Sequence, residues 1–210
     1  PLNFAVQLAL KPTELLRFAG FGSDLGPRET WTAYEDEFRR HSTALMTPDF
    51  LAALVQTESS GNPYAQPPWI WRWSARPWRI FAPASSAVGL LQITDGNLEQ
   101  AGRFCIERRR PSRDCFLSGS FYSRLSPSDS IEMTSAYLHH QLELLAPKRA
   151  PLRRRQELAA VIHLCGPEKG QAFVRSGFDP ERLGACGRQP VGPYVRRVMK
   201  YRAEFARRLS

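Results

Sequence analysis

The sequence predicts an α+β chain that is mainly α, with one small β-hairpin inserted among the helices. Three observations predict this class. Four segments combine the apolar spacing of an amphipathic helix with a recognisable start, one tryptophan-rich stretch alternates with the period of a strand, and hydrophobic residues make up 42% of the 210 residues. A chain of this length and composition fills one core without depending on disulfides alone.

The first strong helix is predicted over residues 47–59. Thr47 is a residue type that favours the position before a helix, and Pro48 suits the first turn because its φ is already helical and no amide hydrogen is needed there. Positions i, i+3, i+4 and i+7 of one face are occupied by Leu51, Leu54, Val55 and Glu58. The last of these is a carboxyl on an otherwise apolar face.

Three further helices follow along the chain. Ser126 and Asp129 open the second in the manner of a capping box. Pro151 opens the third, and Gly166, followed by a proline, ends it. Pro193 opens the fourth, whose apolar stripe continues to the C-terminus.

The N-terminal residues carry weaker helical signals, near residues 13–18 and 30–40. We expect residues 1–46 to form a helical arm that packs on the main domain. The main domain is then predicted to comprise residues 47–210.

The stretch 67–83, PPWIWRWSARPWRIFAP, contains four of the five tryptophans of the chain. Trp69, Trp71 and Trp73 alternate with an isoleucine and an arginine at period two, as in a strand. A turn over residues 74–77 is predicted to return the chain through residues 78–81 as the second strand of a hairpin. Core packing and ligand stacking both remain open for these aromatic side chains.

The formal net charge of +9 indicates anionic surroundings, which include nucleic acid, acidic lipid and anionic wall polymers. No apolar run approaches the roughly 20 residues of a membrane-spanning helix. The start at Pro1 lacks the order of a signal peptide, so we expect a mature or trimmed form. Any membrane association is expected from a segment that precedes Pro1.

Four cysteines fall into two local pairs, Cys105 with Cys115 and Cys165 with Cys186. These pairs are the simplest disulfide arrangement, although three connectivities are open and four buried free thiols are a further alternative. Disulfides would indicate an oxidising compartment. None of the pairs has the Cys-x-x-Cys spacing of a zinc site, and we expect no metal and no cofactor.

Glu58 is the strongest candidate for chemistry. Its place on the apolar face predicts a desolvated carboxyl, and desolvation favours the protonated form that a general acid needs. The alternative is a helix-terminal glutamate tied into a buried hydrogen-bonded pair. The helical face alone leaves both interpretations open.

The surrounding motifs add a family resemblance. The sequence ESSGNP at residues 58–63, followed by AVGLLQIT at residues 87–94, resembles the signature of the soluble lytic transglycosylases, relatives of goose-type lysozyme. Three later stretches resemble family segments in the same order, at residues 131–142, 159–167 and 193–198. The ordered set extends over residues 47–200 and is far more specific than any one of its motifs.

The resemblance implies a lysozyme-like fold and a reaction on peptidoglycan. Glu58 would be the single catalytic acid and base that cleaves the β-1,4 bond between N-acetylmuramic acid and N-acetylglucosamine. Attack by the muramic 6-hydroxyl would leave a 1,6-anhydromuramoyl end. The substrate's own acetamido group would stabilise the cationic anomeric carbon, so no second catalytic carboxylate is required.

The resemblance also implies a set of substrate-binding residues. Gln92, next to the backbone of Gly89, would contact the sugar beside the scissile bond, Leu91 would form part of the groove wall, and Tyr194 would pack on or hydrogen-bond near the carboxyl. A tryptophan face of the predicted hairpin would stack on a sugar ring. The full predicted set is Ser59, Gly89, Leu91, Gln92, Ile93, His163, Tyr194, Trp69 and Trp71.

Two features depart from the family pattern. His163 and Leu164 stand where the family usually has Tyr and Asn, so the hydroxyl that would orient the glutamate is absent there. His163 either replaces it by an imidazole hydrogen bond or is a core histidine with a local partner. The second departure is the long separation between Glu58 and Gln92, which contains the tryptophan stretch.

Three other functions remain open alongside the transglycosylase. A peptidoglycan-binding scaffold with weak turnover, or a lysozyme-type hydrolase, would use the same groove. A single-strand nucleic-acid platform would use the interleaved tryptophans and arginines, but nothing else supports it. We expect a monomer that binds peptidoglycan glycan strands and no nucleic acid, in the periplasm or cell envelope of a bacterium.

Overall fold

The structure is a computed structural model that describes residues 22–71, 73, 75, 80–113, 115 and 121–209. The helix predicted near residues 13–18, and most of the turn predicted over residues 74–77, lie outside the described residues. No helix in the described ranges has both the length and the apolar character that crossing a membrane requires.

Helices dominate the described part of the chain, which confirms the predicted class. They are α1 (Pro27–Arg40), α2 (Pro48–Ser59), α3 (Asp95–Ala101), α4 (Pro127–Leu145), α5 (Leu152–Cys165), α6 (Pro167–Arg175) and α7 (Val191–Leu209). Two short 3-10 helices, Phe121–Arg124 and Pro180–Leu183, lie between them.

Within the described residues, the strands form three separate antiparallel pairs. They are β1 (Trp69–Trp71) with β2 (Phe81–Pro83), β3 (Cys105–Glu107) with β4 (Arg110–Ser112), and β5 (Ala185–Cys186) with β6 (Gln189–Pro190). The predicted hairpin is therefore present, and within the described residues its return strand is Phe81–Pro83, whereas residues 78–79 of the predicted return strand lie outside the described residues. Ala82 and Pro83 are buried and lie opposite Ile70 and Trp69 in the strand pair.

Most helix boundaries agree with their sequence signals. Thr47 does precede α2, but its hydroxyl accepts a hydrogen bond from the Gln156 side chain at 3.0 Å and makes no cap. Ser126 caps α4 by accepting from the Asp129 amide at 3.3 Å. The final helix, α7, begins two residues before Pro193.

Two helices were not predicted. The seven-residue α3 is too short for an apolar stripe to stand out. The sequence Gly166-Pro167 was interpreted as a stop, yet it serves two helices, because the glycine ends α5 and the proline occupies the first turn of α6.

Helix α1 packs on the core of the main domain. Trp31 and Phe38 are buried, and the Trp31 ring lies 5.8 Å from Phe38 and 5.9 Å from Phe205 of α7, measured between centroids. Part of the predicted N-terminal arm thus shares a core with the C-terminal helix. The division of the chain at residue 47 stays a prediction.

Helices α2 and α7 pack antiparallel and carry the two sides of the candidate site. Asp49, in the first turn of α2, pairs with Arg202 of α7 at 3.1 Å between Oδ2 and Nε. At the opposite end of α2, Glu58 accepts a hydrogen bond from Tyr194 of α7. The two contacts are separated by nine residues on one helix and eight on the other, about 13 Å in both cases.

Both of the simplest disulfides are present, Cys105–Cys115 and Cys165–Cys186. The second joins the last residue of α5 to β5. It therefore fixes the β5–β6 hairpin against the end of the helix that carries His163.

Candidate active site

An open cleft of about 800 Å³ lies where the C-terminal end of α2 meets the loop before β1, the loop after β2, the end of α5 and the β5–β6 hairpin. Its polar and charged lining includes Glu58, Gln92, Asn97, His163, Arg188 and Arg197. The cleft thus brings together residues far apart in the sequence. Glu58, Gln92 and His163 are among those predicted to share a site.

Glu58 lies one residue before the end of α2, and its side chain is 14% exposed. The chain turns sharply after it, since Ser60 has a φ of 51° and Gly61 a φ of 72°. A Cβ on Gly61 would lie 2.4 Å from the Thr30 hydroxyl, so only glycine fits at this turn. The Tyr34 hydroxyl donates to the Gly61 carbonyl at 3.0 Å. These contacts fix the end of the helix and with it the position of the carboxyl.

Tyr194 supplies the hydroxyl that orients Glu58. The tyrosine lies in the first turns of α7, is 1% exposed, and donates its hydroxyl hydrogen to Glu58 Oε1. Burial, followed by the neighbouring Glu58 carboxylate, raises the pKa of Tyr194 well above its usual value, while Arg197 acts in the opposite direction. Tyr194 therefore stays a protonated donor across the physiological range.

His163 lies beside the same carboxyl oxygen. Its Nε2 is 3.6 Å from Glu58 Oε1, and its side chain is 9% exposed. This separation is longer than a hydrogen bond, so the predicted replacement of the family hydroxyl by an imidazole hydrogen bond is not present in this geometry. The orienting hydroxyl instead comes from Tyr194. Leu164, the other departure from the family pattern, also lines the cleft.

Gln92 lines the cleft, and backbone carbonyls of two loops bind its side-chain amide. Its backbone has a φ of 47°, and its Nε2 donates to the carbonyls of Ala65 at 2.8 Å and Gly89 at 2.9 Å. Gly89 is buried with a φ of 81°, and a Cβ there would lie 2.1 Å from the Arg124 carbonyl oxygen. The structure gives Gly89 the role of a close backbone contact behind Gln92.

The loop that carries Gln92 is organised by a buried arginine. Arg124 is 3% exposed and donates to the carbonyl of Ile93 at 3.1 Å and to Asp95 Oδ1 at 2.8 Å. Asp95 is the first residue of α3. No motif in the sequence marks Arg124 for this role, because its partners lie about 30 residues away along the chain.

Three predicted substrate-binding residues lie in the interior. Leu91 is 1% exposed, Ile93 is 2% exposed, and Ser59 is 6% exposed with its hydroxyl bonded to the Val55 carbonyl at 3.2 Å. A sugar contact by any of them would need an exposure that this arrangement does not give. Their role here is packing behind the cleft, and Leu91 does not form its wall.

The tryptophan hairpin presents two different faces. Ile70 lines the cleft, and because side chains alternate along a strand, Trp69 and Trp71 point to the other face. There they pack on Phe81, with ring centroids 5.1 Å and 4.8 Å away. Trp71 is nevertheless 75% exposed, so sugar stacking stays a prediction and would occur on the outer face of the hairpin.

Two cationic residues of the cleft, Arg188 and Arg197, are not predicted by the sequence motifs. Arg197 follows Tyr194 by one helical turn, and Arg188 lies two residues after a disulfide cysteine. The sequence position of each arginine could have indicated its place at the site, because Arg197 is close to Tyr194 and Arg188 is close to Cys186. Because arginines are frequent throughout this chain, the residue type alone did not distinguish these two.

The cleft thus holds a largely buried carboxylic acid that a tyrosine hydroxyl orients. In a comparison with protein families, the family model for the transglycosylase SLT domain matches residues 38–160, more than half of the chain. The chain belongs to this family. The matched region contains Glu58 and Gln92, whereas His163 and Tyr194 follow it. No curated protein matches the chain.

Proposed function

We propose that the protein is a peptidoglycan lytic transglycosylase in which Glu58 is the single catalytic acid and base. It cleaves the β-1,4 bond between N-acetylmuramic acid and N-acetylglucosamine and leaves 1,6-anhydromuramoyl ends. One observation carries this proposal. Among the described residues that line the cleft, Glu58 is the only carboxylic acid, and it is oriented by the Tyr194 hydroxyl.

In the first step, Glu58 donates a proton to the glycosidic oxygen. Tyr194 binds Oε1, and the described residues give Oε2 no hydrogen-bond partner, so Oε2 is the oxygen available to the substrate. As the bond to the anomeric carbon breaks, the acetamido carbonyl of the muramoyl residue stabilises the positive charge. A second enzyme carboxylate is not needed for this stabilisation.

In the second step, the Glu58 carboxylate accepts the proton of the muramic 6-hydroxyl. The hydroxyl oxygen attacks the anomeric carbon and closes the 1,6-anhydro bond, while the glutamate returns to its protonated form. The proton lost to the leaving sugar is thereby regained, and no water is consumed. Tyr194 stabilises the carboxylate between the two steps by donating a charge-assisted hydrogen bond.

Other cleft residues bind and position the sugars. Gln92 contributes its amide group beside the scissile bond, and His163 lies next to the reacting carboxyl. The exposed face of Trp71 stacks on a sugar of the same strand beyond the cleft. These roles are part of the proposal.

A cell-envelope location, in the periplasm of a bacterium, fits this activity. The two disulfides support an oxidising compartment, and the net charge of +9 suits the anionic wall. We propose that the enzyme acts as a monomer on glycan strands. In this proposal residues 47–210 form the catalytic domain, and residues 1–46 form a helical arm.

The experiment is digestion of purified peptidoglycan sacculi, followed by mass spectrometry of the released muropeptides. Wild-type protein is expected to release anhydromuropeptides, and Glu58→Gln to release none while it still sediments with sacculi. Hydrated muramoyl ends would instead indicate a lysozyme-type hydrolase. No soluble product at high enzyme excess would indicate a binding scaffold.

A further inference from the structure

Arg188 and Arg197 are the two arginines that line the cleft beside Glu58. Both are exposed, and neither makes an ion pair or side-chain hydrogen bond within the described ranges. Other arginines near acidic side chains form ion pairs, as Arg202 does with Asp49 and Arg196 with Glu181. The cleft therefore carries two guanidinium groups that have no described partner in the protein.

The position of Arg188 is fixed by the local fold. It lies at the tip of the β5–β6 hairpin, in a two-residue turn whose first residue, Gly187, has a φ of 60°. The preceding residue, Cys186, is disulfide-bonded to Cys165 at the end of α5. A tight turn and a covalent link thus hold this arginine at the rim of the cleft.

Arg197 is fixed by a helix. It lies one turn after Tyr194 on α7, so both side chains are on the same face of that helix. Its influence on the pKa of Tyr194 shows that the guanidinium lies within electrostatic range of the Glu58–Tyr194 pair. Residues 186–197 also follow the region that the family model matches.

The substrate of the proposed reaction offers one kind of anion near the scissile bond. Both sugars are neutral at their N-acetyl groups, and the muramic 6-hydroxyl has to be unsubstituted because it is the attacking group. The remaining attachment is the lactyl arm of the muramoyl residue, which carries a peptide stem with free carboxylates. Planar guanidinium groups bind carboxylates by two parallel hydrogen bonds.

We propose that Arg188 and Arg197 form a subsite for the carboxylates of the muramoyl peptide stem. This inference rests on the proposed function for the identity of the substrate. The subsite makes the enzyme prefer strands with charged stems over strands whose stems are uncharged. It also orients the muramoyl residue so that its 6-hydroxyl approaches Glu58.

The test compares soluble glycan strands that have native stems with the same strands after carbodiimide coupling of the stem carboxylates to methylamine. For the wild type, kcat/KM is expected to be about tenfold higher on native strands. For Arg188→Gln/Arg197→Gln, the ratio is expected to fall below about twofold. A ratio in the double variant equal to that of the wild type would overturn the proposal.

The matched control is Arg28→Gln/Arg175→Gln, which removes the same charge from exposed arginines outside the cleft lining. It is expected to keep the wild-type ratio, and an equal loss in this control would attribute the preference to net charge and overturn the subsite. Thermal melting of each variant confirms that it is folded.

Binding separates this inference from the proposed function. The same strands are titrated onto Glu58→Gln protein with and without the two arginine substitutions, and no turnover is needed. If the wild type forms anhydro products but binding does not distinguish native from modified stems, the subsite is refuted and the proposed reaction is not. Discrimination in binding without anhydro products would refute the proposed reaction and leave a carboxylate-binding cleft.

Discussion

The two sides of the cleft are built differently. On one side, α2 and α7 contribute fully buried side chains such as Phe50 and Tyr194, and the Glu58 carboxyl lies between the two helices. On the other side, the β1–β2 hairpin pairs over only three residues and leaves Trp71 75% exposed. In the proposed reaction, the buried side positions Glu58 and the exposed side binds sugar. Substitutions on the two sides should therefore change different quantities.

The largest difference is expected in stability. Phe50→Ala on α2 leaves a cavity in the core and should lower the free energy of unfolding by about 3–5 kcal/mol. Trp71→Ala should change it by no more than about 0.5 kcal/mol, because most of that side chain is in water. Urea denaturation measures both, and similar losses for the two variants would contradict the comparison.

The next effect concerns turnover. Tyr194→Phe removes the hydroxyl that orients Glu58, and kcat should fall about 30-fold with little change in KM. Tyr137→Phe is the matched control, since that tyrosine is also buried and donates its hydroxyl to Gln100 at 2.8 Å, outside the cleft. An equal fall of kcat in both variants would remove the specific role of Tyr194.

A smaller effect is expected in binding. Trp71→Ala should weaken sedimentation with sacculi about threefold to tenfold, the worth of one aromatic contact, at an unchanged melting temperature. The comparison variant, Ile70→Ala, shortens a side chain on the opposite face of the same strand, and that face lines the cleft. If Trp71→Ala binds as tightly as wild type, the outer face of the hairpin is not a sugar platform.

The smallest effect is in the alkaline range. The pKa of Tyr194 is raised above 10.0 in the folded protein, so its contribution to stability is complete below the unfolded-state pKa and is lost as pH rises through the folded value. Tyr194→Phe should therefore lose less stability than wild type between about pH 9 and about pH 11. Urea midpoints at these two pH values measure the difference, and parallel losses would contradict it.

Local sequence signals predicted what depends on local interactions. Pro48, Ser126 and Gly166 marked true helix boundaries, and the nearest-neighbour cysteine pairing is the one observed. The apolar face of α2 also pointed to Glu58 as a buried carboxyl, although the other faces of this helix are buried as well.

The rest of the site depends on long-range packing. Arg124 bonds a loop about 30 residues earlier in the chain, and Arg188 lies at the cleft in a hairpin that a disulfide joins to the end of α5. Leu91 and Ile93 were assigned to the groove by motif position, whereas the structure buries them. Hydrophobic periodicity predicts which side of a helix or strand faces the interior. It does not predict which residues on that side line a cleft.

The central claim is that one glutamate and the substrate's own hydroxyl perform the reaction without water. Digestion of sacculi by the wild-type protein in water labelled with heavy oxygen tests it most directly, with mass spectrometry of the new muramoyl ends. The account predicts 1,6-anhydro ends that carry no label. Reducing muramoyl ends that contain the heavy isotope would contradict it.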